Sequence, residues 1–210
     1  MTKLISAAAA LIAMLNFGLP SGIRAQEPVL GEERRIDPEE AGINGEGRAF
    51  RRAMSLYDRG MFGRAREMFS RIAAGGADVE AEGYAVLCAL KMGLPGSEQA
   101  AEAYIERYPW AEPAADLKFA RALRLFDRQD YAGASAELET LSRYSLRRSQ
   151  MPEYLFKRAY CDFETGQYDR ALLRFSELEK HPVSDYTAAA RYMLGYILYE
   201  RQSYGDALKW

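Results

Sequence analysis

A small residue followed twelve positions later by an alanine recurs five times in this chain: Ala53 with Ala65, Cys88 with Ala100, Ala122 with Ala134, Ala159 with Ala171, and Gly195 with Ala207. Successive alanines lie 35, 34, 37 and 36 residues apart. A period in this range constrains the fold more than composition does. Each unit is one supersecondary element that buries its apolar face only by stacking on the next.

Within a unit the spacing is helical. Four residues beyond the alanine sits a large apolar residue, Phe69, Tyr104, Leu138 or Phe175, and three residues before it an aromatic, Phe62, Tyr131, Tyr168 or Tyr204, with Ser97 as the exception. These offsets place a small and a large residue on one helical face, so that a neighbouring helix can approach closely. The turns read RGMF, RQDY, TGQY and RQSY, in which Gly60 and Gly166 suit a helix C-terminus that needs positive φ. The second unit carries GLPG instead, and Pro95 must end its first helix. No stretch alternates between hairpin signals, so no sheet is expected. The segment from Phe156 to Phe175 shows the helix, turn and helix most completely.

These positions resemble the tetratricopeptide repeat, with its L-G, A-x3-F and P pattern. Leu194-Gly195 with Ala207 matches best, and the second unit offers Leu87-Cys88, Ala100, Tyr104 and Pro109. The fourth has Ala171, Phe175 and Pro182. The leucine position is arginine at Arg52, Arg121 and Arg158, and the leading tryptophan is absent. The resemblance covers residues 45 to 210 and implies an all-α, right-handed solenoid of about five helix-turn-helix pairs, the last incomplete. Tyr108-Pro109 and His181-Pro182 after second helices are similar to those of exported bacterial cell-envelope proteins of the Tol-Pal and outer-membrane assembly accessory type.

The resemblance also implies a concave groove lined by two positions of each first helix, one and five residues past the small anchor. Carried over, they give an apolar floor of Met54, Leu123, Tyr160 and Tyr196 edged by Asp58, Asp127, Glu164 and Glu200. The second unit has Ala89 and Gly93 there, which interrupts the groove. An apolar floor with an acidic edge suits a peptide bearing Lys or Arg. A solvated helix face is the plainer reading of the same carboxylates. The aromatics flanking each anchor, Phe50 and Tyr57, Phe119 and Phe126, Phe156 and Phe163, Tyr192 and Tyr199, share its face and are expected in the core.

Groups for catalysis are scarce. His181 is the only histidine, so no histidine pair for a metal and no Ser-His-acid constellation can be drawn. There is no glycine-rich phosphate loop, and Glu39 and Glu40 lie in a lead-in segment where nothing would perturb them. No cofactor and no enzymatic role are expected. The cluster Arg143, Arg147 and Arg148 around Tyr144 reads as a solvated helix end, with a contact to anionic lipid or cell-wall glycan as the alternative. Cys88 and Cys161, about two units apart, are expected to be buried packing residues rather than a disulfide.

The N-terminus differs from the rest. Lys3, the apolar run Leu4 to Leu15 and the small residue Ala25 have the layout of a secretory signal peptide cleaved after Ala25, too short to span a bilayer. Residues 26–44, rich in charge with two prolines, read as a flexible linker. The composition, 49% hydrophobic and 28% charged, is that of a soluble protein, and a net charge of -2 gives no reason to expect nucleic acid. The expectation is an exported, periplasmic or cell-envelope scaffold that binds a protein or peptide partner. The alternatives are a passive arm of a larger protein continuing past Trp210, and a cell-wall or lipid-associated module.

Overall fold

The computed structural model describes residues 44–76 and 78–210. The proposed leader and most of the linker lie outside the described residues. Among those described, all regular structure is helical, ten α-helices and one 3-10 turn. The helices form five pairs: α1 (Asn44–Asp58) and α2 (Phe62–Gly76), α3 (Val79–Lys91) and α4 (Ser97–Arg107), α5 (Glu112–Asp127) and α6 (Tyr131–Glu139), α7 (Met151–Glu164) and α8 (Tyr168–Leu178), α9 (Thr187–Glu200) and α10 (Tyr204–Ala207). Each helix packs on its neighbours in sequence, and the first helices of the second, third and fourth pairs also touch in order, α3 on α5 and α5 on α7.

The five turns within pairs share one geometry. One residue in each lies in the left-handed region: Gly60, Gly93, Gln129, Gly166 and Gln202, with φ between 62° and 78°. The N–H of the next residue donates back five residues, as from Met61 to the Leu56 carbonyl at 2.9 Å and from Gln167 to the Asp162 carbonyl at 2.7 Å. This satisfies carbonyls that a helix end otherwise leaves without partners. Glycine was legible at Gly60 and Gly166, while Gly93, expected at a groove position, is the turn residue of the second pair. The left-handed Gln129 and Gln202 were not legible, because only the backbone reveals them.

Starts follow from local chemistry. The Asp78 carboxylate accepts the Ala81 N–H at 3.0 Å to cap α3, and Asp130 does the same for α6 through Gly133 at 2.9 Å. Proline near the start of α5 and of α7 needs no N–H partner there.

The core holds the expected small and large residues. Ala53, Ala65, Phe69, Ala122, Ala134, Leu138, Ala159, Ala171 and Phe175 are buried. So are Cys88 and Cys161, both free thiols, and burial pushes each up to about 12. Two expectations need correction. In α4 the buried alanine is Ala101, while Ala100 is exposed. The longer turn Met92–Gly96, with a second left-handed residue at Gly96, delivers α4 rotated relative to the other second helices. In α9 the aromatic pair is not core, since Tyr192 and Tyr199 are exposed. Gly83 is buried because its backbone meets Tyr104 and Pro113; a Cβ there would lie 2.5 Å from the Tyr104 ring and 2.6 Å from Pro113.

The connection between α6 and α7 is the longest between successive pairs and carries the 3-10 turn Arg143–Ser145. It accounts for the interval of 37 between Ala134 and Ala171. Its own Leu141 and Leu146 are buried. Arg147 reaches from it to the buried Asp116 of α5 at 2.6 Å, and Gln150 donates to the same carboxylate at 2.7 Å. The basic cluster expected as a solvated helix end is therefore largely paired, with Arg143 on Glu177 at 2.7 Å. Tyr144 between them projects into solvent, 94% exposed.

Candidate functional site

The shared turn fixes which side chains are equivalent. In each pair the last residue of the first helix lies two positions before the left-handed residue, so Asp58, Lys91, Asp127, Glu164 and Glu200 occupy one place in five turns. In the second unit that place belongs to Lys91 and not to Gly93, which is the turn residue itself. Asp58, Asp127, Glu164 and Glu200 are all exposed. Four carboxylates thus sit at helix C-termini, where the aligned peptide dipoles already concentrate negative charge.

The residues expected as a floor separate into two kinds. Met54 packs partly buried on the core that runs from α1 into α5, and Leu123 is half-buried. Tyr160 is 2% exposed and forms no open floor. Its ring lies among Phe126 at 5.5 Å, Tyr131 at 5.7 Å, Phe156 at 6.1 Å and Phe163 at 5.9 Å. Burial first, and the adjacent Glu164 carboxylate second, push its hydroxyl well above the usual tyrosine range. The correction has a simple cause: the ring fills the space between Phe126 of α5, Tyr131 of α6 and the flanking Phe156 and Phe163 of its own helix. Tyr196 remains half-buried, its hydroxyl raised by partial burial and by Glu200.

A ring pair stands beside this place in four of the five turns. The partners are Tyr57 with Phe62 at 5.5 Å, Phe126 with Tyr131 at 5.3 Å, Phe163 with Tyr168 at 5.6 Å and Tyr199 with Tyr204 at 5.4 Å, all edge to face. The turn of the second pair, with Leu90 and Ser97, has none. The last residue of the following first helix comes up against the first three of these pairs. The Lys91 ammonium lies over Tyr57 at 5.9 Å and over Phe62 at 5.6 Å. Glu164 adds to the raised pKa of Tyr131, whose main cause is burial. Glu200 borders a cleft of about 280 Å³ with Phe163, Tyr168, Tyr196, Ile197 and Arg201.

The first and third ring pairs already carry cations of the chain. Besides Lys91, the Arg147 guanidinium lies 5.6 Å from the Tyr57 ring and 3.9 Å from Asp58. The nearly buried Lys157 holds its ammonium 3.8 Å from the centre of Phe126. Burial is the main influence on Lys157 and lowers it, opposed by Asp127 and Glu153. Of the four exposed carboxylates expected to edge a groove, Asp58 and Asp127 thus have a cation of the chain nearby, while Glu164 meets the Tyr160 hydroxyl and Glu200 borders the cleft.

Among the described residues no group of three or more His, Cys, Asp or Glu side chains is placed to hold a metal ion. No described helix is long and apolar enough to cross a membrane. Fold and site together define an all-α chain of sequentially packed helix pairs that carries a row of acidic and aromatic helix ends. No protein-family model matches the sequence, and no curated protein matches it.

Proposed function

We propose that this chain is a non-catalytic scaffold or adaptor of the cell envelope, a right-handed tetratricopeptide-like solenoid that binds a basic peptide segment of a partner protein. The observation that carries this reading is the placement of Glu164 and Glu200. Each is exposed at the C-terminal end of a first helix beside aromatic rings, where its charge opposes the helix dipole by about 0.3–1 kcal/mol. A carboxylate kept where it weakens the helix is readily understood as a group held for recognition. The helix ends of the five pairs support the solenoid, since each closes on one left-handed residue in the same place, and recurrent local geometry between successive units is what a repeat array requires. Export and processing near Ala25 rest on the sequence of the leader.

The test is affinity capture from an envelope extract with the chain and with the Glu164→Gln, Glu200→Gln double variant. The unmodified chain should retain a partner that salt releases, and the variant should lose most of it while melting at the same or a slightly higher temperature. Equal retention by both proteins would reject the acidic site.

A further inference from the structure

We propose that the cleft between Phe163, Tyr168, Tyr196 and Glu200 is a receptor for one lysine ammonium from the partner segment. The inference deepens the adaptor reading and rests on it for the source of that lysine. Its warrant is internal to the molecule. Phe163 and Tyr168 correspond, turn for turn, to Tyr57 and Phe62, and Glu200 corresponds to Lys91. At the first site the chain places its own ammonium over both rings. At the third site Lys157 lies over the corresponding Phe126. At the fourth site, among the described residues, no cation is seated over Phe163, Tyr168 or Tyr196. Arg201, which also borders the cleft, directs its guanidinium to Asp169 at 2.6 Å.

The place filled by a lysine at the first site therefore holds a carboxylate at the fourth, next to the same ring pair and a third ring. Phe163 lies 5.9 Å from Tyr196, the two rings meeting at 71°, so the cleft offers more than one aromatic face. Aromatic faces attract a cation through their quadrupole, and Glu200 adds a full opposite charge. An anionic or purely apolar side chain gains nothing from that carboxylate. The cleft has room for the end of a lysine, which reaches in on an apolar stem.

The experiment uses the full chain, labelled so that the ring signals of Tyr168 and Tyr196 can be followed by NMR, with N-acetyl-lysine methylamide as probe and its norleucine counterpart as control. Lysine should move both rings saturably, and norleucine should bind at least about fivefold more weakly. Glu200→Gln, an exposed and conservative change, should weaken the lysine response several-fold. Glu200→Lys should abolish it, because a lysine there copies Lys91, and the rings of the free variant should shift toward their probe-bound positions. Equal shifts with norleucine, no shifts with either compound, or an undiminished response in Glu200→Lys would each overturn the proposal. The probe requires no partner, so a silent cleft together with salt-sensitive capture from extract would reject the lysine receptor and leave the adaptor reading standing.

Discussion

At the scale of single residues, the turn glutamines and the helix-end acids show how far spacing alone can reach. Gln129 has φ of 63°, a conformation that costs a side-chain-bearing residue about 1 kcal/mol or more relative to glycine. Gln129→Gly should therefore raise stability by about 0.5–1 kcal/mol in urea denaturation, and Gly166→Ala, at the same place in the next pair, should lower it by a similar amount. The Cβ of Gly166 would meet nothing within 4 Å, so the second change isolates backbone conformation from packing. Sequence periodicity located the helix-end acids at Asp58, Asp127, Glu164 and Glu200 because they keep a constant offset from the small anchors. The same logic misassigned the second unit, where the turn comes two residues early and Lys91 takes the place given to Gly93. It also misjudged Tyr160, since an offset from an anchor specifies a direction around a helix and not how near the next helix lies.

Between elements, the polar cluster that joins α6, α7 and α8 was not legible in the sequence at all, because its members are scattered over three helices. Asp162 is fully buried in α7 and accepts from Arg174 of α8 at 2.5 Å. Arg170 and Arg174 also pair with Glu139 at the end of α6. Burial raises the Asp162 carboxyl, and Arg174, the larger of the opposing influences, holds it down. Arg174→Met should cost about 3 kcal/mol near neutral pH, because it leaves the buried carboxylate with only the more distant Arg170, at 3.8 Å, and Arg158. The folded-state pKa of Asp162 in that variant should rise further above the unfolded value of about 3.9, so the folded form binds the extra proton. Stability of the variant then falls as pH rises through that window and recovers as pH drops below it. Denaturation at pH 4 and at pH 7 should show a smaller gap from the unmodified protein at the lower pH; a constant gap would place the loss in packing.

Across the whole molecule, one turn repeated five times places five equivalent residues in a row, and the chain treats them differently. Lys91 closes the first ring pair from within, Asp58 and Asp127 lie beside Arg147 and Lys157, and Glu164 and Glu200 are left facing solvent. The repeat itself was readable from small residues at a fixed interval. The difference among its copies was not, because it depends on cations brought in by the long α6–α7 connection and by the buried face of α7. On the proposed adaptor reading, the binding surface lies beside Glu164 and Glu200, the two of these carboxylates with no cation of the chain brought in beside them. The most direct test is to pan a random peptide library against the full chain and against the Glu164→Gln, Glu200→Gln variant. Peptides enriched in lysine should be selected by the first and lost with the second; selection of peptides without basic residues, or an enrichment that survives both substitutions, would contradict the assignment.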